Sequence, residues 1–578
     1  MEAIILGALV FGVAYAITHR GSKRTADDNW RPSAVSVPAI AHVSAQNGTH
    51  LGTQRGAAVQ LARIEGRQLL RNEVFIVGVF MSVAILVVFG MIWASDSLGA
   101  QNSWRHWLAL LPVYSLPFAG MTLMGVNAAA LRSRRDGVDE LFASLPASHA
   151  SRVVGHIGSA WMAVLVHALF VAAYFAEGTF MNHYFGRIDA SSIGDVLVSF
   201  VLVVCACSLA VALARWLPHA IVGIAALVAL AIVATILGGI GGKHWSMTRQ
   251  LSLWPRYPDH DWLFAVRPSW WHALYLLALG ALVAVAGIAR SRRDRTVAMA
   301  AVVALLVAAV AGFAQTRPMS ATTAARLAAM VADPIAHSSC TRSDGLTLCA
   351  YTDYAEITEN WADDLAAPFA AVAPQRRAAG FTVVWRESRL DRLDPRVQAN
   401  LDPDALAQRW DSDSSTLDGA GFGPESVTIN RLSLGLWSAG LPLRASQAGV
   451  PCAAGGQAQG LVALWVAAQG ESTAGATRLV SGSWTGINDP EHEYGFPASW
   501  QGGHLWIADA APPVLWSASD LLAAQAIVQL NVDSVRDVLW ADWAHWTDAA
   551  TTSNELLSAL GLASAGLPVA PEGTVACL

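Results

Sequence analysis

Long apolar runs separated by short polar connections fill the first 315 residues, after which the sequence becomes an ordinary mixture of polar and apolar positions. A helix needs roughly 20 apolar residues to cross a hydrocarbon core of about 30 Å. Seven runs meet that length: Phe75 to Ala94, Trp107 to Leu131, Val153 to Phe175, Val196 to Ala214, Ala220 to Ile240, Trp271 to Ile288 and Val297 to Ala314. In lipid every backbone N–H and C=O must find its partner within the segment, so each run is expected to be an α-helix. An eighth run, Ala3 to Thr18 within residues 1–18, is shorter. It reads either as an extra N-terminal transmembrane helix or as a dispensable stretch ahead of a downstream start. The expected fold class is therefore a polytopic α-helical membrane protein of seven to eight transmembrane helices, residues 74–315 forming its core, with a C-terminal α+β extracytoplasmic domain over residues 316–578.

Two segments precede the first long run. Residues 19–56 carry Pro, Ser, Asn and Gly without periodicity and are expected to be a flexible cytoplasmic linker. Residues 57–73 place Arg63, Arg67 and Arg71 four apart on one face, with Leu61, Ile64, Leu69 and Leu70 around the other sector. This pattern fits an amphipathic helix in the cytoplasmic headgroup layer, or equally a basic flank of the first span. In the tail, strands are expected at Phe381 to Trp385 and Val427 to Trp437, and helices near Ile357 to Ala373, Ser517 to Leu530, Ser534 to Trp546 and Thr552 to Leu560.

Charge placement gives the spans a direction. The arginine clusters at Arg132 to Arg135 and Arg290 to Arg295 belong on the cytoplasmic side, where short loops retain basic residues. Seven crossings from an inside start at Arg71 then leave the chain outside at Gln315. Cysteine usage agrees, because disulfides persist in oxidising compartments. Four of the six cysteines follow Gln315, and the favoured pairs are Cys340 with Cys349, across the turn Ser343-Asp-Gly345, and Cys452 with Cys577. Cys205 and Cys207 lie in an apolar run and read as buried free thiols.

With 54% hydrophobic and 14% charged residues, a mean hydropathy of +0.41 and a net charge of −6, the chain shows no nucleic-acid signature. No phosphate-cradling G-x-x-x-x-G-K-[ST] loop, H-E-x-x-H pair or G-x-S-x-G elbow occurs. No catalytic residue and no metal site is expected, and Glu491, His492 and Glu493 read as a solvated turn. Polar residues inside spans are costly unless they face a cavity or a partner, so Asn127, His156 and His167 are candidates for a translocation path, or for hydrogen bonds between helices.

The connection Arg132-Ser-Arg-Arg-Asp-Gly-Val-Asp-Glu-Leu-Phe-Ala-Ser-Leu-Pro146 resembles the segment that meets the ATPase in membrane subunits of ABC-2 type exporters, with Arg135, Gly137, Asp139, Glu140, Leu141, Leu145 and Pro146 at the matching positions. The segment from Arg267 to Leu277, with the span after it, resembles the last core span of such permeases, and the tail resembles outer domains fused to them. The resemblance implies a permease of the bacterial cell membrane that works with a separate ABC ATPase subunit, as a homodimer or heterodimer of permeases in the lipid bilayer. It also implies no cofactor in this chain, ATP and Mg being bound by the partner. A membrane-anchored extracytoplasmic binding or sensory protein is the alternative. The family core has six spans, whereas this chain needs at least one more to place its tail outside.

Overall fold

The computed structural model describes residues 50–95, 104–136, 148–180, 186–219, 221–239, 268–290, 294–385, 393, 395–402, 416–419, 424–441, 452–472, 475–476, 498–501, 504–507, 514–516, 518–563 and 575–576. The chain divides into two units. One comprises Met1–Ile92, Trp104–Tyr184 and Ile188–Pro318; the other comprises Trp93–Ser103, Phe185–Arg187 and Met319–Leu578.

The first unit is helical: α1 His50–Leu69, α2 Glu73–Ser95, α3 Trp104–Tyr114, α4 Leu116–Arg135, α5 His149–Gly158, α6 Ala160–Phe180, α7 Ala190–Trp216, α8 Ile221–Gly239, α9 Ser269–Ala289 and α10 Arg295–Gln315. Among the described residues five helical stretches are long and apolar enough to cross a membrane, and a sixth if α1 and α2, bent by 62° to each other, count as one. The expected seven are thus supported only in part. The expected helix over residues 57–73 begins earlier, at His50, and stops at Leu69. Asn72 then starts α2 by accepting hydrogen bonds from the Val74 and Phe75 N–H groups, which fixes the bend. Two expected spans hold as continuous helical stretches, Trp107–Arg132 across α3 and α4 and Ala150–Phe180 across α5 and α6, the backbone ladder running through Ser115.

Helix α7 lies at the centre. Its Val198, Leu202, Val203, Cys207, Ala210 and Val211 pack with Phe75, Phe118, Met121 and Leu123 into one apolar core. Small residues let α9 approach it: a Cβ on Gly280 would stand 2.7 Å from Cys205 Sγ, and one on Gly194 would stand 2.7 Å from Ser269 Cβ. Glycine at such positions lets two helix backbones approach closely. The apolar face of α10 has no such cover; Val302, Leu306, Val310 and Phe313 are each more than half exposed.

The second unit has its own core. Strands β1 Ser338–Ser343 and β2 Leu346–Tyr351 form a hairpin whose turn residues Asp344 and Gly345 take positive φ, 48° and 93°, the conformation a tight hairpin demands. Cys340 and Cys349 stand opposite each other in its register and are disulfide-bonded, as their spacing led us to expect. Helix α11 Ala321–Ala332 precedes the hairpin. Helix α12 Ile357–Ala371 crosses from β2 to the parallel β3 Phe381–Trp385, and β4 Thr416–Gly419 continues the sheet in the order β1-β2-β3-β4. Both α12 and β3 fall where the sequence places them.

The segment Val427 to Trp437 does not. It is helix α13, Pro424–Ser438. Its apolar alternation mimics a strand, but residues 430–439 are buried all round, so alternation carries no information about a face. It crosses α14, Ala458–Ala467, every residue of which is buried. Strand β5 Cys452–Ala453 pairs with β8 Val514–Leu515 and with β9 Val575–Ala576, all parallel, while β6 Ala498–Gln501 and β7 His504–Ile507 form a separate hairpin. Helix α15 Ala518–Val528 matches expectation, and α17 Ser553–Ala559 starts with a Thr552–Glu555 capping box. The expected helix Ser534 to Trp546 instead ends as α16 Val532–Ala541, because Asp542 leaves helical geometry and caps the following turn by accepting from the His545 N–H. Cys577 lies outside the described residues, so its pairing with Cys452 stays an expectation.

Candidate functional site

The arginine-rich end of the first unit brings together Arg63, Arg67, Arg71, Arg135 and His156 of the residues singled out in the sequence. There α1 packs on α5 through glycine. A Cβ on Gly155 would lie 2.8 Å from Leu61 Cδ2, one on Gly158 would lie 2.9 Å from Ala62 Cβ, and Trp161 Nε1 donates to the Ala62 carbonyl at 3.3 Å. Leu61, Gly66 and Leu69 thus face the bundle. Arg63, Arg67 and Arg71 are exposed, and so are Ile64 and Leu70. The amphipathic reading is refined: one apolar flank docks on protein and the other is left bare beside the arginines.

The docked face also carries Glu65 and Gln68. Arg132, in the last turn of α4, donates to Gln68 Oε1 and lies 3.6 Å from Glu65 Oε2. Burial raises the Glu65 carboxyl above its ordinary range, and the Arg132 guanidinium opposes that rise without cancelling it. Glu65 and Arg132 thus tie α1 to the helix that leads into the 132–146 connection. Arg135 is exposed and pairs with Asp136 at 3.2 Å. Gly137, Asp139, Glu140, Leu141, Leu145 and Pro146 lie outside the described residues.

Asn127, His156 and His167 occupy three separate environments. Asn127 Nδ2 donates to the Ala210 carbonyl at 3.1 Å, and a Cβ on Gly223 would stand 3.1 Å from its Oδ1, so it joins α4, α7 and α8. His156 lies within the electrostatic reach of Arg132, Arg152 and Arg215, from three helices. His167 is fully buried. Its Nε2 is 3.1 Å from Ser199 Oγ, and its ring lies 5.4 Å from Phe118, 5.7 Å from Phe170 and 5.0 Å from Phe200. His156 lies on α5 and His167 on α6.

Two buried groups escaped the sequence reading. His272 Nδ1 and Gln315 Oε1, both buried, are 2.9 Å apart and join the start of α9 to the end of α10. Their separation of 43 residues leaves no local pattern to find. Near the same ends of the bundle Arg105 pairs with Asp189 at 3.6 Å, and Trp270 donates to the Ala190 carbonyl. The Asp189 carboxyl is held below its ordinary range. Burial acts against this, but hydrogen bonds from Ser191 and Ser192, with the Arg105 charge, outweigh it.

The second unit holds a polar cluster. Arg431 is buried, pairs with Glu471 at 2.8 Å and donates to the Gln469 carbonyl at 3.3 Å. Nearby Asp364 is raised above its ordinary range, first by burial and then by the charges of Asp363 and Glu471, with Arg431 pulling the other way. Of the Arg431–Glu471 pair only Arg431 is buried; the Glu471 side chain is 35% exposed. Trp361, Trp385, Trp437, Trp465 and Trp516 are all buried, so these rings serve the core. Among the described residues no group of three or more His, Cys, Asp or Glu is placed to hold a metal ion. No family model, no curated protein and no solved structure matches this chain.

Proposed function

We propose that this chain is the multi-pass permease subunit of a bacterial exporter of ABC-2 type, driven by a separate ATPase subunit, with its C-terminal unit on the outer side of the cell membrane. One observation carries the reading: α1 docks through glycine on α5 and is tied by Glu65 and Gln68 to Arg132, at the mouth of the connection that resembles the family's ATPase-contacting segment. A push on that connection would reach α1, α4 and α5 as one body, which is what coupling to a partner ATPase requires. Support for the outer placement of the tail comes from the Cys340–Cys349 disulfide, a bond that persists in oxidising compartments. The bare apolar face of α10 supports a lipid surrounding, because a contiguous exposed patch of that kind is rare on a monomeric soluble protein.

The second reading is a membrane-anchored extracytoplasmic binding or sensory protein, favoured by the independent core of the second unit. Purification from native membranes separates the two. The exporter reading expects a nucleotide-binding subunit to copurify and Glu140→Ala to release it. A chain that arrives without any ATPase, unaffected by Glu140→Ala, would leave the anchored binding protein standing.

A further inference from the structure

A groove of about 310 Å³ runs between α9 and α10, lined by Leu282, Val285, Ala286 and Ala289 on one side and by Val297, Ala298 and Ala301 on the other, with Asp294 at its end. The mouth of this groove is cationic and aromatic. Trp216 Nε1 donates to the carbonyl of the groove residue Ala286 at 2.9 Å, and the Arg290 guanidinium lies over the Trp216 ring at 5.2 Å. Arg295 opens α10 beside Asp294. Among the described residues neither Arg290 nor Arg295 has a carboxylate partner. The carboxylate of Asp294 is occupied locally, accepting from the Val297 N–H at 3.0 Å and the Thr296 hydroxyl at 2.6 Å.

We propose that this groove holds one acyl chain of an anionic phospholipid, whose phosphate is taken by Arg290 and Arg295. The assignment rests on the reading of α9 and α10 as membrane-spanning. Three features select such a lipid over other occupants. The lining is apolar apart from Asp294, and a volume of about 310 Å³ suits a single alkyl chain. Trp216 is nearly half exposed at the headgroup level, where an amphipathic ring is favoured. The two guanidiniums, without a carboxylate partner among the described residues, then meet an anion where the chain in the groove would end, and each basic residue near a membrane surface favours anionic lipid. A zwitterionic lipid would satisfy the groove but leave the net charge at its mouth uncompensated.

The test is native mass spectrometry of the full-length chain in detergent, titrated with phosphatidylglycerol or phosphatidylcholine. The expected result is one retained phosphatidylglycerol, preferred over phosphatidylcholine by roughly thirtyfold, given two basic contacts of about 1 kcal/mol each. In the Arg290→Gln, Arg295→Gln double variant the preference should vanish while some lipid of either kind is still retained. In Ala298→Phe, which fills the groove from an exposed position, the retained lipid itself should be lost. Equal phosphatidylglycerol retention by the wild type and both variants would overturn the proposal, as would displacement of the lipid by inorganic phosphate alone. The readout requires no ATPase, so a failure of the exporter reading leaves this result interpretable.

Discussion

Gly435→Ala is expected to destabilise the second unit by about 3 kcal/mol, the upper end of what overpacking costs. Helix propensity alone argues for the opposite sign, since Ala in a helix interior is about 1 kcal/mol better than Gly. The difference lies in what the new methyl group would meet. A Cβ on Gly435 would stand 2.1 Å from the Ala463 carbonyl oxygen and 3.0 Å from its carbon. Those are backbone atoms of α14, a helix buried on every side, so it cannot retreat without disturbing the whole core. Thermal unfolding of the full-length chain, followed by the near-ultraviolet signal to which the buried Trp437, Trp465 and Trp516 contribute, provides the measurement. A neutral or stabilising outcome would mean that α13 and α14 do not cross at this glycine.

Gly155→Leu should detach α1 from α5, at a cost of about 2–3 kcal/mol by the same overpacking logic. Here the obstacle is a side chain, with Leu61 Cδ2 at 2.8 Å and Leu61 Cβ and Cγ at 3.0 Å. Relief is therefore available, and Leu61→Ala added to Gly155→Leu should recover much of the loss. No side-chain replacement at residue 463 could do the same for Gly435. Limited proteolysis near Arg63 is the readout: faster cleavage in Gly155→Leu, restored protection in the double variant. Unchanged protection in Gly155→Leu would remove the docked helix on which the coupling argument depends.

The sequence revealed elements whose pattern is local. Strand β3 and helix α12 sit where periodicity places them, and the Ser343-Asp-Gly345 turn correctly brought Cys340 to Cys349. Helix α14 was not foreseen, because a helix buried all round has no polar face to give it a period. The same physics turned α13 into an apparent strand. At the site, the i, i+4 arginines announced α1, but its docking was illegible: Gly155 and Gly158 matter only through what stands opposite them, 94 and 96 residues earlier at Leu61 and Ala62. The Glu65–Arg132 and His272–Gln315 pairs were likewise hidden by distance along the chain. Of the motif that carries the family resemblance, Arg135 is described and exposed, and the remaining positions fall outside the described residues.

Labelling of single introduced cysteines with a membrane-impermeant maleimide tests the central claim most directly, the intact wild type serving as background. Glu359→Cys, on an exposed position of α12, should react in intact cells, and Arg63→Cys, on the exposed face of α1, should react only after the membrane is opened. Labelling of Arg63→Cys in intact cells with Glu359→Cys protected would contradict the account, because the arginine-rich end would then lie outside and the disulfide-bonded unit inside.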